Sequence, residues 1–525
     1  MVGLQEKKTA PRETSALLGE TSIDVDVQDM LDVAAAQSII TRTNSFSLAS
    51  PSFAMSSSDL KVYDHDETEP EPDWRHELAK QVRLMYPIML TYILEYMPGM
   101  VCIMLVGHIA SPETKLFVDA ATMSTMFTNV SALSIGFGLS SALDTLCSQA
   151  YGAGRRKKIG IYLQSGFLVV GACLLPIFAL NWHAEYFLLL AGQDPQVARY
   201  AGEFSRITVF GTPFLFIYEM CRKLMQAQNI VRPLVYIMVA GNIVNIVSGY
   251  YLTYHTSLGF HGAAFSRSLG YMTLPLLLAP YLLTSGSYRE WWPGWNFHEA
   301  RKHVGLFLRL GVPGLLMMTM EWWAYEILAV FAGLLPDGVV SVSAHAVLMN
   351  VASSLYMVFL GMAVSGNILV GNALGANQPK KAQLTSRLTM TMVVSMSCVV
   401  ALLVFIFRHQ IPMLLINDPE AIARAADTLL VMVPYEIIDA TNCVIQGIYR
   451  GTGRQHMAAK TNALAFYVVG VPLAAFLAFR MHWGVEGLWL GFGSGICTAL
   501  SVCSYILYHA SWQQMADEAQ ARTQH

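Results

Sequence analysis

The sequence predicts an all-α polytopic membrane protein with twelve transmembrane helices in two pseudo-symmetric six-helix lobes. Of its 525 residues, 54% are hydrophobic and 13% are charged, whereas a typical soluble domain has about 25% charged residues. From Leu84 onward, runs of at least about 20 mainly apolar residues, enough to cross a bilayer, alternate with short polar turns. Short motifs of the first half also recur in the second half at a nearly constant separation.

Hydropathy divides the chain into an acidic cytosolic tail (1–73), a first lobe with its connecting loop (74–290), a second lobe (291–511) and a cytosolic tail (512–525). The predicted spans are centred near residues 97, 130, 171, 215, 243, 272, 321, 355, 396, 437, 469 and 498. The fourth and tenth are weakly hydrophobic, because they contain Arg206, Arg222, Glu436 and Asp439.

The acidic tail, 1–73, contains fourteen Asp and Glu against five Lys and Arg. Such a segment buries too little apolar surface to offset its ordering entropy, so we expect it to be disordered. No apolar core lies beside its basic residues, so a cleaved signal peptide is not expected. Glu13, Leu17 and Leu18 form an E-x-x-x-L-L string that resembles an acidic dileucine signal, which would make vesicle-coat adaptors a partner. The alternative is that this string is only part of a solvated tail.

Lysine and arginine favour the cytosolic side of a membrane. The flank before the first span and the loops after spans 2, 4, 6, 8 and 10 hold 20 of these residues, and the opposite set holds six. Both termini are therefore predicted to be cytosolic. The sequence leaves open a plasma, vacuolar or lysosomal membrane.

The internal repeat has a steady register. RLMYPIML (83–90) matches RLGVPGLL (309–316), and QAYGAGRRKK (149–158) matches NALGANQPKK (372–381). Across these and further matched motifs, the offset in numbering stays between 223 and 226. Because six is even, both halves enter the membrane in the same direction, which predicts a pseudo-twofold axis along the membrane normal and a cleft between the lobes.

The seventh span carries two acids, Glu321 and Glu326, beside Trp322, Trp323 and Tyr325. An acid at bilayer depth is costly and is by default a candidate for function. The two acids are separated by roughly 140° around a helix, so we expect one to face the cleft and the other the interior of its lobe. Aromatic faces beside a carboxylate would suit an organic cation. The alternative is a buried structural acid beside interfacial aromatic residues.

Three further acids lie within predicted spans. Asp439, one turn after Tyr435, is a candidate to share a proton with the seventh span. Glu436 lies nearer the start of its span, and a functional role and a position that only faces the interface are equally expected for it. Glu95 is the first-half counterpart of Glu321, because both follow a matched proline at the same spacing.

Other polar residues are interpreted as structural. Asp144, which aligns with Asn367, is expected to form packing hydrogen bonds, and Glu219 to pair with basic residues near the interface. His108 and His345 are expected to be satisfied interface histidines.

The chain shows no nucleophile–base pairing, phosphate loop or metal-ligand spacing, and its eight cysteines are scattered. We therefore expect neither an enzyme nor a cofactor or metal. The expected partners are protons, organic small molecules and the lipid bilayer, without nucleic acid, and the chain is expected to be a monomer.

From Leu84 to the last span, the motifs resemble the eukaryotic branch of the multidrug and toxic compound extrusion (MATE) transporters. The motifs that carry this resemblance are GHIA, GLSSALDTLCSQAYGAG, MEWWAYE, GNALGA, YRGTGRQ, YVVGVP and GLWLG. The resemblance implies two lobes in a V, alternating access and exchange of protons for organic substrate.

The resemblance also implies site residues. Proton coupling falls on Glu321, Glu326 and Asp439, with Glu95 as an added first-lobe site. The substrate-binding set is Glu321, Trp322, Trp323, Tyr325, Asn350, Tyr435 and Asp439. Asn350 stands where an animal member would have another acid, and Glu95 where plant-like members usually carry an amide.

The predicted function is a proton-coupled antiporter that exports organic, cationic or amphipathic, solutes and xenobiotics. One alternative is an exporter of organic anions such as citrate or conjugates, for which Arg206 or Arg267 would be cavity candidates. Another is a lipid flippase, which would need a lipid-facing portal and a basic groove.

Overall fold

The computed structural model describes residues 71–336, 338–413 and 419–524, and all regular secondary structure within them is helical. Glu13, Leu17 and Leu18 lie outside the described residues. The first half comprises α1 (Trp74–Gly107), α2 (Thr114–Thr128), α3 (Ser134–Ser140), α4 (Ala142–Gly152), α5 (Arg156–Trp182), α6 (Ala184–Leu190), α7 (Pro195–Thr208), α8 (Thr212–Ala227), α9 (Arg232–Tyr254), α10 (Phe260–Ser285) and α11 (Tyr288–Trp291). The second half comprises α12 (Phe297–Gly333), α13 (Gly338–Gly375), α14 (Pro379–Phe407), α15 (Gln410–Met413), α16 (Pro419–Thr452), α17 (Gln455–Leu464), α18 (Val471–Ala475), α19 (Gly484–His509) and α20 (Trp512–Gln524).

Ten helical runs in the described residues are long and apolar enough to cross a membrane. Two of these runs are continuous through π-helical turns: α2 to α4 form one run (Thr114–Gly152), and α17 to α18 continue through Arg480. The predicted fourth span is interrupted between α7 and α8. The predicted sixth span is helix α10, which contains Arg267. Neither of these two is among the ten.

The backbone repeats at the spacing that the sequence motifs predict. Residues with positive φ follow equivalent helices in the two halves: Gly154 (71°) and Asn377 (56°), Asn229 (63°) and Gly453 (74°), and Gly259 (49°) and Gly484 (58°). The members of each pair are offset in numbering by the same interval as the matched motifs. Glycine and asparagine tolerate this left-handed conformation best, so the turns after these helices are fixed in the same way twice.

The two halves contact each other closely where α4 and α13 end. A Cβ atom on Gly152 would overlap the carbonyl oxygen of Asn372, and one on Gly375 would overlap that of Gln149. Hydrogen bonds cross the same interface, from the Thr145 hydroxyl to the Arg450 carbonyl (2.5 Å) and from the Gln149 amide to the Gly451 carbonyl (2.9 Å). The opposite end of the same run, α2, packs on helices of its own half. The halves are therefore joined at the end that carries the excess of basic loops.

Candidate transport site

Glu321 on α12 and Asp439 on α16 face the interior of the second half. The two residues are only 5% and 3% exposed, and their carboxyl groups lie within electrostatic reach of each other. The Gln446 amide and the Arg450 guanidinium lie beside Glu321. Neither carboxyl forms a salt bridge within the described part of the chain. The structure thus brings together two acids from helices that are distant in the sequence.

Aromatic side chains surround this acid pair. The hydroxyl groups of Tyr325 and Tyr435 are hydrogen-bonded to each other. Tyr325 also packs edge-on against Phe492, with ring centroids 4.8 Å apart, and Tyr435 packs against Trp489 at 5.2 Å. Tyr356 of α13 lies close to both Glu321 and Asp439. The acids are therefore enclosed by tyrosine rings and hydroxyls.

Several buried polar atoms near the pair have no hydrogen-bond partner. They include Asp439 Oδ1, both carboxyl oxygens of Glu436 and both ring nitrogens of His345. The prediction that His345 is a satisfied interface histidine is wrong, because its ring is buried against Trp489, with centroids 5.7 Å apart. Unpaired buried polar groups are costly, and a functional role or a bound water or ion is among the explanations for each of them.

The remaining candidates of the second half are less buried than the pair. Glu326 and Trp322 are half-buried, and Trp323 is 51% exposed. Asn350 is exposed and donates to the Ala346 carbonyl one turn earlier. The angular separation predicted for Glu321 and Glu326 agrees with one buried and one half-buried acid.

The first half contains a buried ionic network instead of an open acid pair. Arg222, only 1% exposed, pairs with Glu95 at 2.6 Å, contacts Glu219 and stacks over the Tyr92 ring at 4.5 Å. Beside it, Lys223 pairs with Asp144 at 2.8 Å. The network contains three acids and two bases.

The predicted pairing of Glu219 with its neighbouring basic residues is confirmed, and Glu219 is 3% exposed. Asp144 accepts hydrogen bonds from the Lys223 ammonium group on α8, which agrees with the expected structural hydrogen bonding and gives it the form of an ion pair.

The arginines considered for an anion site have partners within the first half. Arg206 donates to the Trp182 carbonyl (3.0 Å) and to Glu185 (3.2 Å). Arg267 donates to the hydroxyls of Tyr271 (3.1 Å) and Thr125 (3.0 Å). Both guanidinium groups are thus engaged with protein atoms.

Three residues beside the acid pair are not identified as candidates by the sequence alone: Gln446, Arg450 and Tyr356. Arg450 lies in the YRGTGRQ motif, so its position carries a signal that marks the family but not the site. Its guanidinium is buried and interacts with Asp144 across the interface as well as with the second-half cluster. Nothing in the local sequence around Gln446 or Tyr356 indicates which helix face meets Glu321.

The chain matches the MatE family model twice, over residues 87–251 and 313–476. These two segments are the two halves of the internal repeat and together exceed half of the chain. The chain is a member of the MatE family. Its matched motifs and backbone repeat are thus features of a MatE protein.

Relatives of this MatE protein include multidrug and toxin extrusion protein 2 of Oryctolagus cuniculus, 34% identical over 83% of this chain and 71% of the relative. Multidrug and toxin extrusion protein 1 of Homo sapiens is 32% identical over 85% of this chain and 77% of the relative. The crystal structure of the eukaryotic MATE transporter AtDTX14 matches with a TM-score of 0.82, at 28% identity, over 86% of this chain and 99% of that one. An outward-facing multidrug resistance MATE transporter shares the fold, with a TM-score of 0.73 at 17% identity, over 87% of this chain and 98% of that one.

These matches confirm the predicted family, its eukaryotic branch and the all-helical membrane fold. The MatE protein is a multi-pass integral membrane transporter and not an enzyme.

Proposed function

We propose that this MatE protein is a proton-coupled antiporter that exports organic, cationic or amphipathic, solutes and xenobiotics from the cytosol by alternating access. The observation that carries the proposal is the buried pair of Glu321 and Asp439, enclosed by tyrosines and free of salt bridges within the described residues. A buried carboxyl group without a fixed counter-ion can be neutralised by either a proton or a cationic solute. Mutually exclusive neutralisation is what an antiporter needs.

In the proposed cycle, the solute enters from the cytosol while Glu321 and Asp439 are ionised. Ring faces attract organic cations, so Tyr325 and Tyr435 would contact the solute next to the two carboxylates. After the opening changes sides, external protons neutralise the pair and the solute leaves. Each pH unit across the membrane supplies about 1.4 kcal/mol per transported proton. Two carboxyls close to each other would titrate as one coupled unit.

The other predicted residues have supporting roles in the proposal. Glu326, half-buried on the same helix, is a further proton-coupling residue. Asn350, Trp322 and Trp323 would contact the solute further from the acid pair, where their side chains are more exposed. Glu95 would take up a proton in the first half while Arg222 keeps its contact with Glu219.

The proposed setting follows from charge and composition. Both termini would be cytosolic, in a plasma, vacuolar or lysosomal membrane, and the chain would act as a monomer. Vesicle-coat adaptors would be recruited through Glu13, Leu17 and Leu18. The engaged state of Arg206 and Arg267 gives no support to an organic-anion substrate.

Uptake of labelled tetraethylammonium into proteoliposomes under an imposed pH gradient tests the proposal. We expect wild-type protein to accumulate the cation and Glu321→Gln to lose at least about 100-fold of the proton-driven rate, because the amide cannot exchange a proton. A sodium gradient without a pH gradient is the control for the coupling ion, and citrate competition is the control for substrate charge. Wild-type turnover by Glu321→Gln would refute the proposed coupling.

A further inference from the structure

Helix α20 lies at the end where α4 and α13 join the two halves, the closed end of the molecule, and contacts both halves. Its inner face consists of Met515, Ala516 and Ala519, which are completely buried. These side chains pack against α13 and the start of α14 in the second half, including Leu374 and Ala382. The apolar face therefore anchors α20 to the second half.

The last turn of α20 reaches across to the first half. Arg522 donates to the Gln149 side-chain oxygen at 2.7 Å, and its other terminal nitrogen donates to the Thr452 carbonyl of the second half at 3.1 Å. Arg155, at the start of α5, donates to the Thr523 carbonyl, and Tyr162 donates to the Arg522 carbonyl at 3.4 Å. One helical turn is thus hydrogen-bonded to both halves.

Charge arrangement reinforces this contact. Glu518, one turn before Arg522, accepts from Arg522 at 3.3 Å and from Arg454 of the second half at 2.8 Å. Arg522 lies so close over Gly453 that a Cβ atom at that position would overlap the guanidinium. Gly453 has positive φ (74°) and ends the α16 turn that carries Arg450. The guanidinium is therefore held in one place by a carboxylate, an amide oxygen, a carbonyl and a glycine surface.

We infer that α20 is a clasp that stabilises the closed cytosolic end and releases the first half when that end opens. The inference rests on the proposed alternating access and on the predicted cytosolic location of this end. The contacts to Gln149, Arg155 and Tyr162 exist only while the halves are together, whereas the apolar anchor stays within the second half. A contact made in one state alone shifts the equilibrium toward that state. The clasp residues are positioning residues and lie outside the acid pair.

The test uses the full chain with its native cysteines replaced and a reporter, Ser148→Cys, which is completely buried between the halves. We expect Arg522→Ala to raise the rate of labelling of this thiol by a cytosolic reagent about tenfold, since hydrogen bonds to a charged group are lost. Arg155→Ala removes the bridge from the opposite side and should act in the same direction. Asp517→Ala, whose side chain is on the exposed face of α20, should leave labelling unchanged.

A cross-linking experiment distinguishes the proposed clasp from simple helix packing. Gln149→Cys with Arg522→Cys, bridged by a cleavable bifunctional thiol reagent, should stop transport, and cleavage of the linker should restore it. Labelling of the reporter in Arg522→Ala at the wild-type rate, or full transport by the bridged protein, would overturn the inference. Failure of the proposed antiport would appear instead as wild-type protein that does not respond to a pH gradient, and thiol labelling is measured without any gradient.

Discussion

An acid at the equivalent helical position has different charge partners in the two halves. Glu95 and Glu321 are equivalent by the repeat, and so are Arg222 and Gln446, because the motifs and turns that flank their helices recur with one nearly constant offset. In the first half the acid is paired with a built-in cation at 2.6 Å. In the second half a neutral amide, Gln446, stands at the position of Arg222. The Arg450 guanidinium also lies near Glu321, but the two form no salt bridge.

In the proposed mechanism, this difference gives the first-half acid a structural role and leaves the exchange of protons and solute to the second-half acid. A carboxylate with a fixed arginine partner is stabilised in its charged form, and the partner already fills the place that a proton or cation would take. A carboxylate that has an amide neighbour and no salt bridge leaves that place available. The first half thus resembles the second half with a fixed counter-ion added, and in the proposed mechanism the second half would be the main place for exchange.

Arg222→Gln should have the largest effect, on stability. It leaves Glu95 without its cation and Glu219 with Lys223 alone, at 3.5 Å, in a site where Arg222 is 1% exposed, and breaking a buried ion pair costs about 3–5 kcal/mol. We expect a clearly lower unfolding temperature in detergent. The double variant Arg222→Gln, Glu95→Gln should recover part of the loss, because one uncompensated carboxylate is removed. If Arg222→Gln were as stable as wild type, the network would not be the structural element that its contacts indicate.

Gln446→Arg would give the second half the counter-ion of the first. A guanidinium about 4 Å from Glu321 would interact by about 4 kcal/mol at an effective dielectric constant near 20. Proton-driven uptake of tetraethylammonium should therefore fall by about 100-fold or more. Gln446→Met, which is similar in length and uncharged, is the matched control and should retain most of the activity. Equal losses in both variants would point to packing rather than charge as the cause.

How much of the structure is predictable from the sequence depends on the range of each contact. The repeat, the all-helical membrane fold and the pairing of Glu219 with its neighbours on α8 follow from spacing along the chain. The partner of Arg222 does not, since Glu95 lies on a distant helix and the contact depends on how α1 and α8 are rotated. The packing of residues 512–524 cannot be predicted from the sequence for the same reason. The sequence predicts only a tail there. Its few apolar residues indicate a packed helix only when the surface that they contact is known.

His345→Phe tests whether the unpaired polarity of the second half extends beyond its acids. Neither ring nitrogen of His345 has a partner, and its ring packs on Trp489. Replacement of an unpaired buried polar group by an apolar ring of similar shape removes a desolvation cost of about 1–3 kcal/mol. We expect a modest rise in unfolding temperature with unchanged proton-driven uptake. A large loss of uptake with intact stability would instead place His345 on the proton path, and exchange would then involve more of the second half than the pair of Glu321 and Asp439.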